Sequence, residues 1–148
     1  LIDKLNQIVE HELAGVVRYT HYSFMVFGFS RIPVVGWLRG AANETLLHAT
    51  EAGEMITLLG GHPSLGIGAL LETHRHDLGE ILREALEFEI QGVRLYRELL
   101  TLAEQAKTIT LEEFARTKIA EEALHIGDID KMLRRPGEIK QAVNSQAP

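Results

Sequence analysis

Residues 10–19 read Glu10-His11-Glu12-Leu13-Ala14-Gly15-Val16-Val17-Arg18-Tyr19, and residues 87–96 read Glu87-Phe88-Glu89-Ile90-Gln91-Gly92-Val93-Arg94-Leu95-Tyr96. Two glutamates, a glycine, a valine and a tyrosine recur at an offset of 77 residues (12 + 77 = 89; 19 + 77 = 96). The same offset carries Glu44-Thr45-Leu46-Leu47-His48 onto Glu121-Glu122-Ala123-Leu124-His125, and Met55 onto Met132. Two copies of so long a unit make a duplicated hairpin, since solenoids stack shorter units in greater number. Each half supplies a Glu on one segment and a Glu/His cluster on the next. A two-fold between the halves would gather carboxylates and imidazoles in one centre, and such oxygen and nitrogen donors suit iron, manganese or zinc.

The apolar spacing around these motifs is helical. Leu5, Ile8, Val9, Val16, Val26 and Phe27 recur at three and four, which predicts a first helix over roughly residues 1–29. Pro33 suits the first turn of a second helix, running to about Leu59 and stopped by Gly60-Gly61-His62-Pro63. Residues 61 to about 75 form a long connection. Asp77 opens a third helix that ends near Ala106, and Thr110-Leu111-Glu112-Glu113 reads as the capping box of a fourth, ending at Arg135 before Pro136-Gly137. The expected architecture is an all-α four-helix bundle over residues 1–135, with one long crossover between its second and third helices and an internal pseudo-two-fold. Residues 136–148 read as a polar tail.

Bulk properties narrow the function. A chain of 148 residues forms one domain with a substantial core. It has no cysteine, which excludes disulfides and thiolate metal sites. Fifteen basic and 21 acidic residues leave a net charge of -6, which disfavours nucleic acid and mildly favours cations. No apolar run is long enough to span a membrane, and the start lacks the basic region of a secretory signal, so the expected location is cytoplasmic.

On a helical wheel Glu12 lies mid-stripe among Leu5, Val9, Val16 and Tyr19, and Glu89 likewise among Leu82, Leu86, Val93 and Tyr96. Glu10 and Glu87 fall on the opposite, solvated face. A carboxylate aimed into a core costs several kcal/mol, of order ~3–5, unless paired, protonated or metal-bound. Lys118 is the main inward cation for an ion pair, and it can serve only one of the two. Glu122 and His125, at i and i+3, reach one point from the fourth helix. In the second helix the stripe through Leu38, Ala41, Ala52 and Leu59 points Thr45 inward, where the repeat equivalent is Glu122. Glu44 lies at the stripe's edge. It is either a solvated edge residue or a ligand brought in by a local π-type widening of the helix. Glu51, one turn beyond His48, is a further candidate. His11 is expected to face solvent and His21 the outer face of the first helix. His62, His74 and His76 are expected to cluster in the crossover. Met25, Met55 and Met132 read as packing and Trp37 as a core or interface anchor.

These residues resemble the ferritin-like di-iron carboxylate family, and bacterioferritin most closely. That family places one Glu on each of two helices and Glu-x-x-His on the other two. Glu12, Glu89, Glu122, His125 and His48 match the pattern, and Tyr19 falls where the family has a tyrosine near the iron. The segment from His48 to Pro63 is also similar to the bacterioferritin stretch after its second-helix histidine. Three departures stand out. Thr45 replaces a bridging Glu, Leu46 replaces the haem-ligating Met, and the short fifth helix is missing. The resemblance therefore implies iron, two ions per subunit, and makes haem unexpected.

The activity this resemblance implies is Fe²⁺ oxidation by O₂ or peroxide at a carboxylate-bridged pair, in iron storage or detoxification. The expected ligands are Glu12, Glu44, His48, Glu89, Glu122 and His125, with Tyr19 as the catalytic tyrosine. If Thr45 faces inward and Glu44 does not turn in, the two metal positions become unequal. One would keep Glu89, Glu122 and His125; the other would have Glu12 and His48 plus shared oxygens. Two alternatives stay open: a rubrerythrin-like di-iron oxidase or peroxidase without storage, and a structural bundle whose metal site has decayed. Tyr22, Phe24, Phe27, Phe29 and Trp37 predict a homo-oligomer, a dimer or small shell, formed through the first two helices.

Overall fold

In the computed structural model, which describes residues 1–141, four helices carry the chain: α1 (Ile2–Met25), α2 (Arg31–Leu58), α3 (Leu78–Gln105) and α4 (Ile109–Leu133). The all-α bundle with one long crossover stands as the sequence predicts. The described part of the tail, residues 136–141, has no helix, and residues 142–148 lie outside the described residues.

The ends of the helices have identifiable causes. α1 stops four residues short of the expected Phe29, because Val26 turns extended and Gly28 adopts φ +87°. The guanidinium of Arg31 then donates to the freed carbonyls of Ser23 and Val26 at 3.1 and 2.9 Å. α2 ends in a Schellman turn: Gly61 N donates to Ile56 O and Gly60 N to Thr57 O, both at 3.0 Å, with Gly60 at φ +79°. The side chain of Asp77 caps α3 by accepting from Glu80 N at 2.9 Å. α3 ends in a second Schellman turn, in which Lys107 takes the left-handed place at φ 55° and Thr108 N donates to Ala103 O. This turn delivers the chain so that Thr108 precedes α4. Thr110 consequently lies inside the helix, and the expected capping box does not form.

The crossover runs along α1 in the same direction. Ser64 N donates to the Asn6 side chain at 2.7 Å, Gly68 N to Glu10 O at 2.8 Å, and His76 Nδ1 lies 3.0 Å from Met25 O. A side chain at Gly68 would press on the Glu10 carbonyl at 3.0 Å. Glu10 is half-buried and accepts from the Ser64 hydroxyl, so it is not the solvated residue the wheel suggests. The crossover returns the chain to the C-terminal end of α1, and α3 therefore runs antiparallel to α1.

Two apolar clusters form the core. One contains Tyr19, Val26, Val34, Leu38, Leu82, Leu86 and Ile129; the other contains Leu5, Val9, Ala52, Tyr96, Ala103, Leu111 and Ala115. They are repeat images of each other, since adding 77 takes Leu5 to Leu82, Val34 to Leu111 and Ala52 to Ile129. Between them lies a belt of buried polar side chains: Glu12, Thr45, His48, Glu89, Lys118 and Glu122. The bundle thus buries charge at its middle, where neither apolar half can cover it.

The repeated glycines explain how α1 and α3 come close. A Cβ on Gly15 would meet the Phe88 ring at 2.5 Å, and one on Gly92 would meet His11 Nε2 at 3.2 Å. His11 and Phe88 are themselves repeat equivalents (11 + 77 = 88) and stack at 4.0 Å between centroids, 5° from parallel. Each half's glycine makes room for the other half's ring. His11 is accordingly half-buried rather than solvent-facing. Its Nε2 lacks a partner, and burial followed by the nearby Arg18 charge lowers its pKa to about 4.

Candidate metal centre

All four helices contribute to the polar belt, and the period of each places the donors. Glu12 and Glu89 sit mid-stripe on α1 and α3, so the packing that buries Leu5, Val9, Leu82 and Leu86 carries both carboxylates inward. His48 comes from α2, and Glu122 and His125 from α4. Potential ligand atoms of Glu12, His48 and Glu122 all lie within 4.8 Å of one another, and so do those of Glu89, Glu122 and His125.

Glu122 is common to both groups. His48 Nδ1 lies 2.7 Å from its Oε1, and His125 Nδ1 lies 3.3 Å from its Oε2. One oxygen faces each half, which is the disposition of a bridging carboxylate. Each position thus has its own Glu, its own His and a share of Glu122. Thr45 contributes no carboxylate to either group. Thr45 is buried, and its hydroxyl donates to Ala41 O at 2.7 Å, inside its own helix.

α2 is α-helical throughout and shows no widening. Glu44 stays at the edge, exposed, with Oε2 3.3 Å from His125 Nε2 and outside both donor groups. Its repeat equivalent, Glu121, stands 3.5 Å from His48 Nε2. Both imidazoles therefore turn Nδ1 towards Glu122 and Nε2 towards an edge carboxylate. The 77-residue offset, which pairs Glu44 with Glu121, carries the signal for this role. Glu51 does not enter either group and pairs with Lys118, which also reaches Glu121 at 2.7 Å.

A second set of partners also obeys the repeat. Tyr96 donates to Glu12 at 2.7 Å and Tyr19 to Glu89, each from the opposite half. Tyr19 thus holds a carboxylate of the centre, and Tyr96 does the same in the other half. Tyr19 also packs edge-on against Trp37 at 6.3 Å.

The charges sort themselves within this cluster. Burial, then the Glu122 charge, pushes the Glu12 pKa well above the ordinary glutamate value, against the opposing Tyr96 hydrogen bond and Lys118 charge. Burial, then contact with Glu122, does the same to Glu89. Burial works against ionising Glu122 as well, but the imidazoles of His125 and His48 outweigh it and hold its pKa below the ordinary range. Glu122 in turn raises the pKa of His125. These directions favour charge on Glu122 and protonation of Glu12 and Glu89 on either side of it.

The other histidines are dispersed. His74 Nδ1 lies 3.3 Å from His21 Nε2, His76 stacks on Phe27, and His62 sits near Asn6 at the far end of α1. No three-histidine cluster forms in the crossover. Met25 and Met55 pack against the core clusters, whereas Met132 is exposed.

Four helices gathering carboxylates and histidines around a shared glutamate place the chain in the class of bundles with a carboxylate-and-histidine centre. The sequence profile of the ferritin-like domain matches residues 2–137, and the chain belongs to the ferritin-like family. Among solved structures it is similar to one described as ferritin-like, diiron-carboxylate proteins from Bacillus anthracis strain Ames. The TM-score is 0.85 at 23% identity, over 90% of this chain and 94% of that one. At that identity the likeness concerns the fold. No curated protein matches the chain. No described helix is long and apolar enough to cross a membrane.

Proposed function

We propose that the chain binds two Fe²⁺ ions at this centre and promotes their oxidation by O₂ or peroxide. The observation that carries the reading is Glu122, whose two oxygens face two equivalent Glu/His sets. The donors fit a metal on physical grounds. His48 Nδ1 is buried, makes no well-aligned hydrogen bond and sits where the carboxylates converge, so it is a polar atom that a bound metal would satisfy. Glu12, His48 and Glu122 would hold one ion, and Glu89, His125 and Glu122 the other. Bound iron would supply the electrons that the oxidant takes up.

The protein's own groups prepare the site. Glu12 and Glu89 must lose protons as a cation arrives, so loading releases protons and weakens on acidification. Tyr96 and Tyr19 keep those carboxylates oriented in both states, and the edge carboxylates Glu44 and Glu121 fix the imidazole rings. The apolar clusters above and below the belt exclude water. A cavity of about 300 Å³ lies beside Glu89 and His125, between α2 and α4, with exposed Glu44 and Asp128 at its outer part, and gives a cation a favourable approach. Assembly belongs to the same reading. Phe24, Phe27, Phe29 and Ile32 are exposed at the α1–α2 end, while Tyr22 is buried and Trp37 partly buried in the core.

Oxygen uptake after addition of Fe²⁺ tests the proposal. Wild type should consume oxygen faster than buffer, and Glu122→Gln, which removes the shared charge, should fall to the buffer rate. Equal uptake by both proteins would overturn it.

A further inference from the structure

The repeat makes the surroundings of the two positions directly comparable. Beside Glu89 and His125 stand Ala41, Glu44 and Asp128; their equivalents beside Glu12 and His48 are Lys118, Glu121 and Glu51 (41 + 77 = 118; 44 + 77 = 121; 51 + 77 = 128). The acidic residues correspond, and the cation does not. On the first side Ala41 leaves the cavity of about 300 Å³ between Glu44 and Asp128. On the second, the buried Lys118 side chain places its ammonium between Glu51 and Glu121. The same acidic lip is thus open in one half and bridged by a lysine in the other.

We infer that Lys118 is a built-in plug and counter-charge that makes the two metal positions unequal: the Glu89/His125 position fills first through the Glu44–Asp128 mouth, and the Glu12/His48 position takes its metal later and more weakly. This rests on the metal-binding reading above and adds an order of filling to it. Two effects act together. The ammonium occupies the place by which a cation would approach Glu12 and His48. Its charge also opposes a dication a few ångströms away, in surroundings where burial limits screening. Glu51 and Glu121 are engaged by Lys118, so their charge is not available to offset a second ion. In the other half Asp128 pairs with the exposed Lys131 at 3.7 Å, on the solvent side of the lip, and the place of Lys118 itself is taken by Ala41.

Calorimetric titration of metal-free protein with Co²⁺, which needs no oxidant, separates the possibilities. Wild type should bind two ions per chain with the second dissociation constant roughly tenfold or more above the first, because a fixed positive charge beside the second position opposes a dication there. Lys118→Ala, which copies the Ala41 side, should bring the two constants together. Lys118→Met, which keeps the bulk without the charge, should strengthen the second site while leaving its filling slower than the first. Two equal sites in wild type would overturn the inference and leave the metal-binding reading intact. Unequal sites unchanged in both variants would also overturn it. Failure of wild type to bind any ion would end the metal-binding reading itself. Helical circular dichroism of the variants verifies that they fold.

Discussion

Replacing Gly15 by Ala tests the packing that creates the centre, and its cost can be worked from the geometry. A methyl group there would lie 2.5 Å from Phe88 Cζ and 2.5 Å from Thr45 Cγ2, both on buried side chains. Overpacking of this kind costs about 1–3 kcal/mol, and pressure from two sides places Gly15 in the upper half of that range. Exchanging Gly for Ala inside a helix returns about 1 kcal/mol. The net expectation is a loss of about 1–2 kcal/mol. Gly92→Ala is the internal control. Its methyl would meet only the edge of His11, at 3.2 and 3.6 Å, so most of the helix gain survives and stability should change by about 0 to +1 kcal/mol. The two variants should therefore differ by about 2 kcal/mol, or roughly 4–8 °C in Tm for a domain of this size. Urea unfolding of the metal-free proteins reads the difference, and a cycle with Phe88→Leu should recover part of the Gly15→Ala loss. If Gly15→Ala matched or exceeded wild type, the close approach of α1 to the Phe88 ring would not be what requires this glycine.

The charges and surfaces lead to other outcomes. Because Glu12 has a raised pKa in the folded state, the native metal-free protein binds more protons than the unfolded chain above the ordinary glutamate range, and this group's contribution to stability falls as pH rises through that window. Glu12→Gln should raise metal-free stability at pH 7 and flatten the change between pH 5 and 7; a clear loss at pH 7 would instead mean that the carboxylate holds the fold together. His11 behaves in the opposite sense: with its folded pKa near 4, it remains neutral while the unfolded chain protonates, so acidification from 7 to 4 removes up to about 3 kcal/mol. His11→Phe should abolish that component, and NMR titration of His11 with a midpoint near 6.5 would contradict it. Glu44→Ala should keep the metal count and weaken binding at the Glu89/His125 position about 10–100-fold through loss of ring orientation; the loss of one ion per chain in the same titration would make Glu44 a ligand. Native mass should exceed that of a monomer at micromolar concentration, and Phe27→Glu with Phe29→Glu should reduce it; a monomeric wild type would leave the exposed aromatics without this role.

Glu12 and Glu89 were legible in the sequence because a charged residue centred in a 3.6-residue apolar stripe has few explanations, and the repeat showed it twice. The inward Thr45 was legible on the same ground. His11 was misplaced because the wheel considers one helix at a time, whereas its burial comes from a ring on α3; the offset to Phe88 and the paired glycines held the missing information. The path of the crossover depends on contacts between residues some 50 apart, such as His76 with Met25, which no local pattern encodes. Thr110-Leu111-Glu112-Glu113 has the composition of a capping box, but the Schellman turn at Lys107 starts α4 earlier and takes precedence. Lys118 was visible as an inward cation; Glu121 lies three residues on in the same helix, whereas its other partner, Glu51, became identifiable only once α2 and α4 were set side by side.

The most direct test of the shared centre is anomalous diffraction at the iron edge from crystals loaded with Fe²⁺ without oxygen. The account predicts two interior peaks flanking Glu122, one against Glu12 and His48 and the other against Glu89 and His125. Iron confined to the surface, or a bundle interior without a peak at saturating Fe²⁺, would contradict it.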